Sequence, residues 1–153
     1  MHNGSHFVNL MNFWFGDCKE VNIIEKGREF KNFGIEPYLI LKYENCEVSF
    51  IPAWEELYSH YTIEVISSNG RLYWGRKNLE WTEVMRNKTS SGHSYLSEHS
   101  EIFCTGADKY QMHVANELYL AMIGEESSIC NEAGALETQN IIDRILKMAH
   151  NEI

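Results

Sequence analysis

The sequence predicts an α+β fold, one largely antiparallel β-sheet with helices packed on one face, and three observations lead there. A dense apolar run opens the chain between Gly4 and Phe15, a block of short β-rich runs follows from Cys18 to Trp81, and the C-terminal part returns to helical period. Strands grouped together and followed by helices belong to α+β architecture, whereas a parallel sheet alternates the two.

Phe7, Val8, Leu10, Met11, Phe13, Trp14 and Phe15 are too dense and too long a run for a typical strand, and Gly16-Asp17 ends it, so the first element is expected to be a buried helix. The β-rich runs are Val21–Ile24, Tyr38–Tyr43, Val48–Ile51, Tyr61–Ile66 and Arg71–Trp74. Asn69-Gly70 separates the last two, and a two-residue hairpin loop with φ > 0 at both positions suits Asn and Gly. Asn45-Cys46 marks a second tight connection. Residues 87–100, rich in Ser, Asn, His and Gly, read as a surface loop.

Tyr110, Val114, Leu118 and Met122 recur every fourth residue between Asp108 and Gly124, which serve as start and stop signals. A final helix carries Ile141, Ile142, Ile145, Met148 and Ala149 on one stripe and Glu137, Asn140, Asp143, Arg144 and Lys147 on the other. Both stripes are expected to be core. The opposite face of the sheet then needs a cover, and a partner subunit is the expected one, because large bare apolar patches are rare on monomers.

At 153 residues the chain has the size of one domain, residues 1–153, and its 12% aromatic content sets it apart from disordered chains. A formal charge of −9 with no basic run excludes nucleic-acid binding through the phosphate backbone. Neither an apolar span for a bilayer nor a signal-peptide pattern is present, so no membrane partner and a cytoplasmic location are expected. Cys18, Cys46, Cys104 and Cys130 form no Cys-x-x-Cys pair and are expected to be reduced thiols. The sequons Asn3-Gly4-Ser5 and Asn87-Lys88-Thr89 matter only in a secreted chain.

Cofactor motifs are missing. No Gly-x-Gly-x-x-Gly follows a strand, and Gly70-Arg71-Leu72-Tyr73-Trp74-Gly75 lacks the Lys-Ser/Thr that completes a phosphate loop. Chemistry concentrates at the opening of the first helix. His6 stands there on a segment whose apolar body anchors it, and an imidazole held near a surface suits a general base that takes a hydroxyl proton. His2 and His6 also share the i, i+4 spacing of helical metal ligands, without an assignable third ligand. Trp54, Tyr58, His60, Trp74 and Trp81 offer flat faces to a sugar ring but are read as core or interface.

Gly4-Ser5-His6-x-x-Asn9-Leu10 followed by Trp14-Phe15-Gly16-Asp17 resembles the signature that opens the C-terminal domain of the glucose–fructose oxidoreductase and inositol dehydrogenase family (Gfo/Idh/MocA). Tyr61–Leu72 resembles that family's hairpin. The stretch from Asn116-Glu117-Leu118 through Leu136-Glu137 to Ile141-Ile142-Asp143 resembles its last two helices. The resemblance implies a substrate and oligomerisation domain with His6 as catalytic base, His2 and Asn9 as substrate contacts, and an open sheet face that makes a homodimer or larger oligomer. It also implies NAD or NADP held mainly by a separate nucleotide-binding domain, and a sugar or polyol as substrate. Two positions depart from the pattern: acidic residues of the signature are replaced by His2 and Asn9, which removes carboxylates that would raise the basicity of His6.

Two functions follow as expectations. One is the substrate-binding half of an NAD(P)-dependent oxidoreductase, inactive without its nucleotide domain; the other is a non-catalytic sugar-binding or oligomeric assembly module.

Overall fold

A computed structural model of the chain describes residues 4–30, 34–53, 60–75, 78–86 and 93–150. The fold is α+β with antiparallel pairing throughout, as expected, but it holds two sheets where one was expected. The chain divides into two compact units, Met1–Pro52 with Ser128–Ile153, and Ala53–Ser127.

The first unit contains helix α1 (Gly4–Phe15), strands β1 (Glu20–Phe30), β2 (Gly34–Lys42) and β3 (Glu47–Phe50), and the last helix, α3 (Glu132–His150). The strands lie in the order β1-β2-β3. One face of this sheet is apolar, with Val21, Leu39 and Leu41 buried, and α3 packs on β1 and β2 while α1 packs on α3. Alternation sends Glu20, Lys42 and Glu47 to the opposite face, where the Lys42 ammonium lies 3.2 Å from Glu20 and 3.9 Å from Glu47. Helices therefore cover one face of this sheet, and its other face is charged.

α1 ends at Gly16, whose N–H reaches the Asn12 carbonyl at 2.9 Å. It is buried on one side only: Val8 and Met11 are inside, whereas Phe13 and Trp14 are exposed, so the expected buried helix is amphipathic. α3 starts on the Asn131 side chain, which accepts the Gly134 N–H at 3.0 Å, an N-cap that satisfies an otherwise orphaned donor. Its stripe is core at Ile141, Ile142, Ile145 and Ala149; Met148, also expected there, is 41% exposed.

β1 carries one extra residue opposite Pro37, between the pairs Glu25–Tyr38 and Arg28–Glu36. Proline offers no N–H to a ladder, and a bulge removes the need for one. Gly27 holds φ +73° there, and a Cβ at that position would lie 1.9 Å from the Glu36 carbonyl oxygen. The β2–β3 connection closes with the Tyr43 N–H donating to the Cys46 carbonyl at 2.9 Å, the tight turn expected at Asn45-Cys46.

The second unit contains β4 (Ile63–Ile66), β5 (Gly70–Trp74), β6 (Asn78–Arg86), β7 (Ser94–Leu96), β8 (Glu101–Cys104), the short 3-10 helix η1 (Ala107–Lys109) and α2 (Tyr110–Met122). β4, β5 and β6 pair in sequence, and the free edge of β6 is shared by β7 near Arg86 and β8 near Asn78. The described part of the expected 87–100 loop thus contains a strand, β7, and residues 87–92 lie outside the described residues.

The β4–β5 hairpin forms where expected, but by other means. The Ser67 hydroxyl accepts the Gly70 N–H at 3.2 Å, the Ser67 N–H meets the Gly70 carbonyl at 2.9 Å, and no non-glycine residue among those described has positive φ. Gly70 is required by proximity rather than by dihedral angle. A Cβ there would stand 2.4 Å from the Thr82 carbonyl oxygen and 2.6 Å from the Trp81 ring, which lies across it.

Candidate functional site

His6 occupies the first turn of α1 and is exposed, on a helix held down by Val8 and Met11. His2, the second histidine of the expected site and of the alternative metal pair, lies outside the described residues, as do Trp54 and Tyr58. Among the described residues no group of three His, Cys, Asp or Glu side chains is placed to hold a metal ion.

Asn9, the expected substrate contact, is half-buried on α1. Its side-chain amide donates to the Thr138 hydroxyl at 3.0 Å and to the Cys130 sulfur at 3.3 Å, and the Thr138 hydroxyl donates in turn to the Gly134 carbonyl at 2.8 Å. The structure brings Asn9 to α3, where it links two helices.

One turn further along α1, the Asn12 side-chain oxygen accepts the Tyr43 hydroxyl at 2.9 Å, while the amide nitrogen of Asn12 is buried without a partner. A buried unpaired donor costs about 1–3 kcal/mol. Tyr43 is itself buried beside the Phe15 ring, 5.7 Å away. Burial, with the neighbouring Cys18, Cys46 and Glu137 adding to it, holds the phenol well above its ordinary range. Sequence reasoning left Asn12 and Tyr43 out because a polar residue inside an apolar run carries no mark of which neighbour it meets.

The Ala53–Ser127 unit presents a different surface. Strand register puts Ile63, Val65, Leu72, Trp74, Leu79, Trp81, Met85, Tyr95 and Phe103 on one face of its sheet together with Glu83 and Glu101, and Glu64, Ile66, Arg71, Tyr73, Glu80, Thr82, Val84, Leu96 and Ile102 on the other. Every large apolar side chain counted as buried among the described residues, from Val8 to Ala149, belongs to the other unit. The apolar sheet face is half-buried along β4 and β5 and open at Met85, Tyr95 and Phe103.

α2 adds to that surface. Tyr110, Val114, Leu118 and Met122, expected in the core, are 50% to 78% exposed, and Met112, Tyr119 and Ile123 are exposed beside them. The expectation fails because helical period reports a common face and says nothing of a layer to receive it; the main neighbour of α2 is η1. Its C-terminus closes as the Gly124 signal predicts, with the Glu125 N–H returning to the Leu120 carbonyl at 3.0 Å.

The other face of the same sheet carries a groove of about 430 Å³ lined by Glu64, Ile66, Ser67, Arg71, Val84 and Leu96 among others. Its two charges neutralise each other: the Arg71 guanidinium pairs with the Glu64 carboxylate and rests 5.3 Å from the Tyr73 ring centre. On the apolar face the Tyr61 and Trp74 rings lie 5.4 Å apart, packed on each other, in keeping with the reading of Trp74 as core or interface.

No protein-family model, curated protein or solved structure matches this chain. No helix among the described residues is long and apolar enough to cross a membrane.

Proposed function

We propose that this chain is a non-catalytic binding and assembly module whose Ala53–Ser127 unit is completed by another polypeptide. One observation carries the reading: that unit pairs an apolar sheet face with an apolar helix, and none of its described large apolar side chains is buried. A small unit without a buried core gains too little from folding to offset chain entropy, and an isolated helix of this length is marginal in water. Covering both surfaces supplies the missing burial, at roughly 25 cal/mol for each Å² removed from water.

The test is hydrogen exchange on the unassociated chain. Amides of α2 are expected to exchange orders of magnitude faster than those of α3, whose Ile141, Ile142 and Ile145 are buried. Equal protection of the two helices in a monomer means that the surface is already covered, and the reading then fails.

A second reading, the substrate-side domain of an NAD(P)-dependent sugar or polyol oxidoreductase, rests on His6, exposed on the first turn of an anchored helix. It requires a nucleotide-binding domain supplied separately. Adding such a domain should restore hydride transfer that His6→Ala abolishes; activity within threefold of the parent after that substitution would remove His6 from the reaction.

A further inference from the structure

Resting on the assembly reading, we infer that the polypeptide covering α2 is the α2 of further copies of this chain, four of which pack as an antiparallel helix bundle that leaves both sheet faces outside the contact.

The side of α2 that meets its own chain is narrow. The Ser127 hydroxyl donates to the Glu117 carbonyl at 2.8 Å and to its carboxylate at 3.1 Å, and the His113 ring sits against Gly106. Glu117 and Leu120 are half-buried, and every other residue of the helix is exposed. At about 100° per residue, the exposed large apolar side chains fall in two stripes. Tyr110, Val114, Leu118 and Met122 make the first, and Met112, Tyr119 and the C-cap residue Ile123 make the second. Together they cover roughly 220° of the circumference, about twice the arc of a single core-facing stripe. Such a helix requires neighbours on two sides, as each member of a four-helix bundle has.

Area decides between two copies and four. The seven side chains of both stripes, 50% to 78% exposed, offer on the order of 650–850 Å² per protomer, taking roughly 150–200 Å² for a large apolar side chain. That matches the roughly 800 Å² that each partner gives to a specific interface. The first stripe alone offers on the order of 400–500 Å², so a two-helix contact would total about 800–1,000 Å² and fall short of the usual range.

Charge selects the occupant and its direction. α2 holds no Lys or Arg, and its one carboxylate is engaged by Ser127, so a second α2 brings no unpaired charge into either seam. The sheet of the same unit would bring one, because Glu83 and Glu101 stand on one face and Glu80 on the other, and burying an unpaired carboxylate is costly. Glu125 and Glu126, both exposed, follow the helix. Parallel packing would gather them from neighbouring copies at one end. Antiparallel packing sets them instead beside the Asp108 and Lys109 that precede the next helix, a pair without net charge. Tyr110 is then level with Met122 of the partner subunit, and Val114 with Leu118 of the partner subunit, a self-complementary seam.

Sedimentation equilibrium on the full chain tests the inference, at about 0.15 M salt, where a Debye length of about 8 Å screens the repulsion between acidic chains. The parent chain is expected to be a tetramer. Leu118→Glu, in the first stripe, is expected to be monomeric, and Tyr119→Glu, in the second, to stop at a weaker dimer. Phe103→Glu, at an exposed sheet position, is expected to remain a tetramer; its dissociation would move the contact to the sheet and overturn the inference. Disulfide trapping in a chain carrying Cys104→Ser and Cys130→Ser reads the direction. Tyr110→Cys chains mixed with Met122→Cys chains should cross-link, whereas equal cross-linking of Met122→Cys chains alone would mean parallel helices and overturn the bundle described. A parent chain that is monomeric or only dimeric overturns it too. Hydrogen exchange on a monomeric parent then separates the cases: rapid exchange in α2 leaves the assembly reading standing with a different partner, and slow exchange removes both.

Discussion

The Asn9 amide and the Thr138 hydroxyl, 3.0 Å apart, tie the first helix of the chain to the last across 129 positions of sequence. Thr138 is buried and spends its own proton on the Gly134 carbonyl, so it depends on Asn9 for the bond it accepts. Asn9→Ala should lower stability by about 1 kcal/mol, the net worth of such a bond, read as a lower urea midpoint at unchanged slope. Asn9→Asp restores the residue type of the dehydrogenase signature but loses the donor, and should be no better. An unchanged midpoint in both variants would free Asn9 for the ligand contact that the signature implies.

Ile145 and Met148 appear equivalent in the sequence, both on the apolar stripe of the last helix, yet Ile145 is 0% exposed and Met148 is 41% exposed. Truncation should separate them. Ile145→Ala leaves a cavity between α3 and the sheet and should cost about 2–5 kcal/mol, whereas Met148→Ala should cost well under half of that. Equal losses in thermal or urea unfolding would mean that Met148 is buried in solution.

What the sequence made legible follows from where its information is local. The helix ends at Gly16 and Gly124, the apolar stretches Val21–Ile24 and Tyr38–Lys42 of the first sheet, the Ser67–Gly70 hairpin and most of the Ile141–Ala149 stripe announce themselves through period or punctuation, whereas the far half of β1 and the start of β2 do not. β6 was missed because Glu80, Thr82 and Glu83 interrupt its apolar residues, and β7 and β8 because three- and four-residue strands beside a polar loop carry almost no pattern. The division into two sheets was not legible at all, since local runs do not say which strands share a ladder. At the site, the motif singled out His6 and Asn9 by position, but the partners of Asn9 lie at Cys130 and Thr138, a relationship that only the folded chain states.

The four cysteines should fall into two classes. Burial pushes the Cys18 thiol up, with the Arg144 charge opposing, and burial likewise raises Cys46, whereas Cys104 and Cys130 are exposed. Thiolate is the reactive form, so a disulfide reagent near neutral pH should titrate Cys104 and Cys130 rapidly and the other two slowly until the chain is denatured. Cys104→Ser and Cys130→Ser together should remove the fast phase; a fast phase surviving both would place Cys18 or Cys46 at the surface.

Tyr43 makes stability depend on alkaline pH in a direction that its burial dictates. Its phenol ordinarily titrates at 10.0, and in the fold that value is raised, chiefly by burial and next by Cys18, Cys46 and Glu137. Below the ordinary value both folded and unfolded chains keep the proton, so the contribution of the group is fully present. Above it the unfolded chain releases the proton while the folded chain retains it, and stability falls with rising pH until the folded value is passed. Tyr43→Phe removes the titrating group and with it this part of the slope, at the expense of the 2.9 Å bond to Asn12. Urea midpoints measured across the range about one unit either side of the ordinary tyrosine pKa should therefore fall more steeply for the parent chain than for Tyr43→Phe, even though the variant starts lower. Parallel slopes would mean that Tyr43 titrates in the folded chain as freely as in the unfolded one, and that water reaches the junction of Asn12, Phe15 and Tyr43.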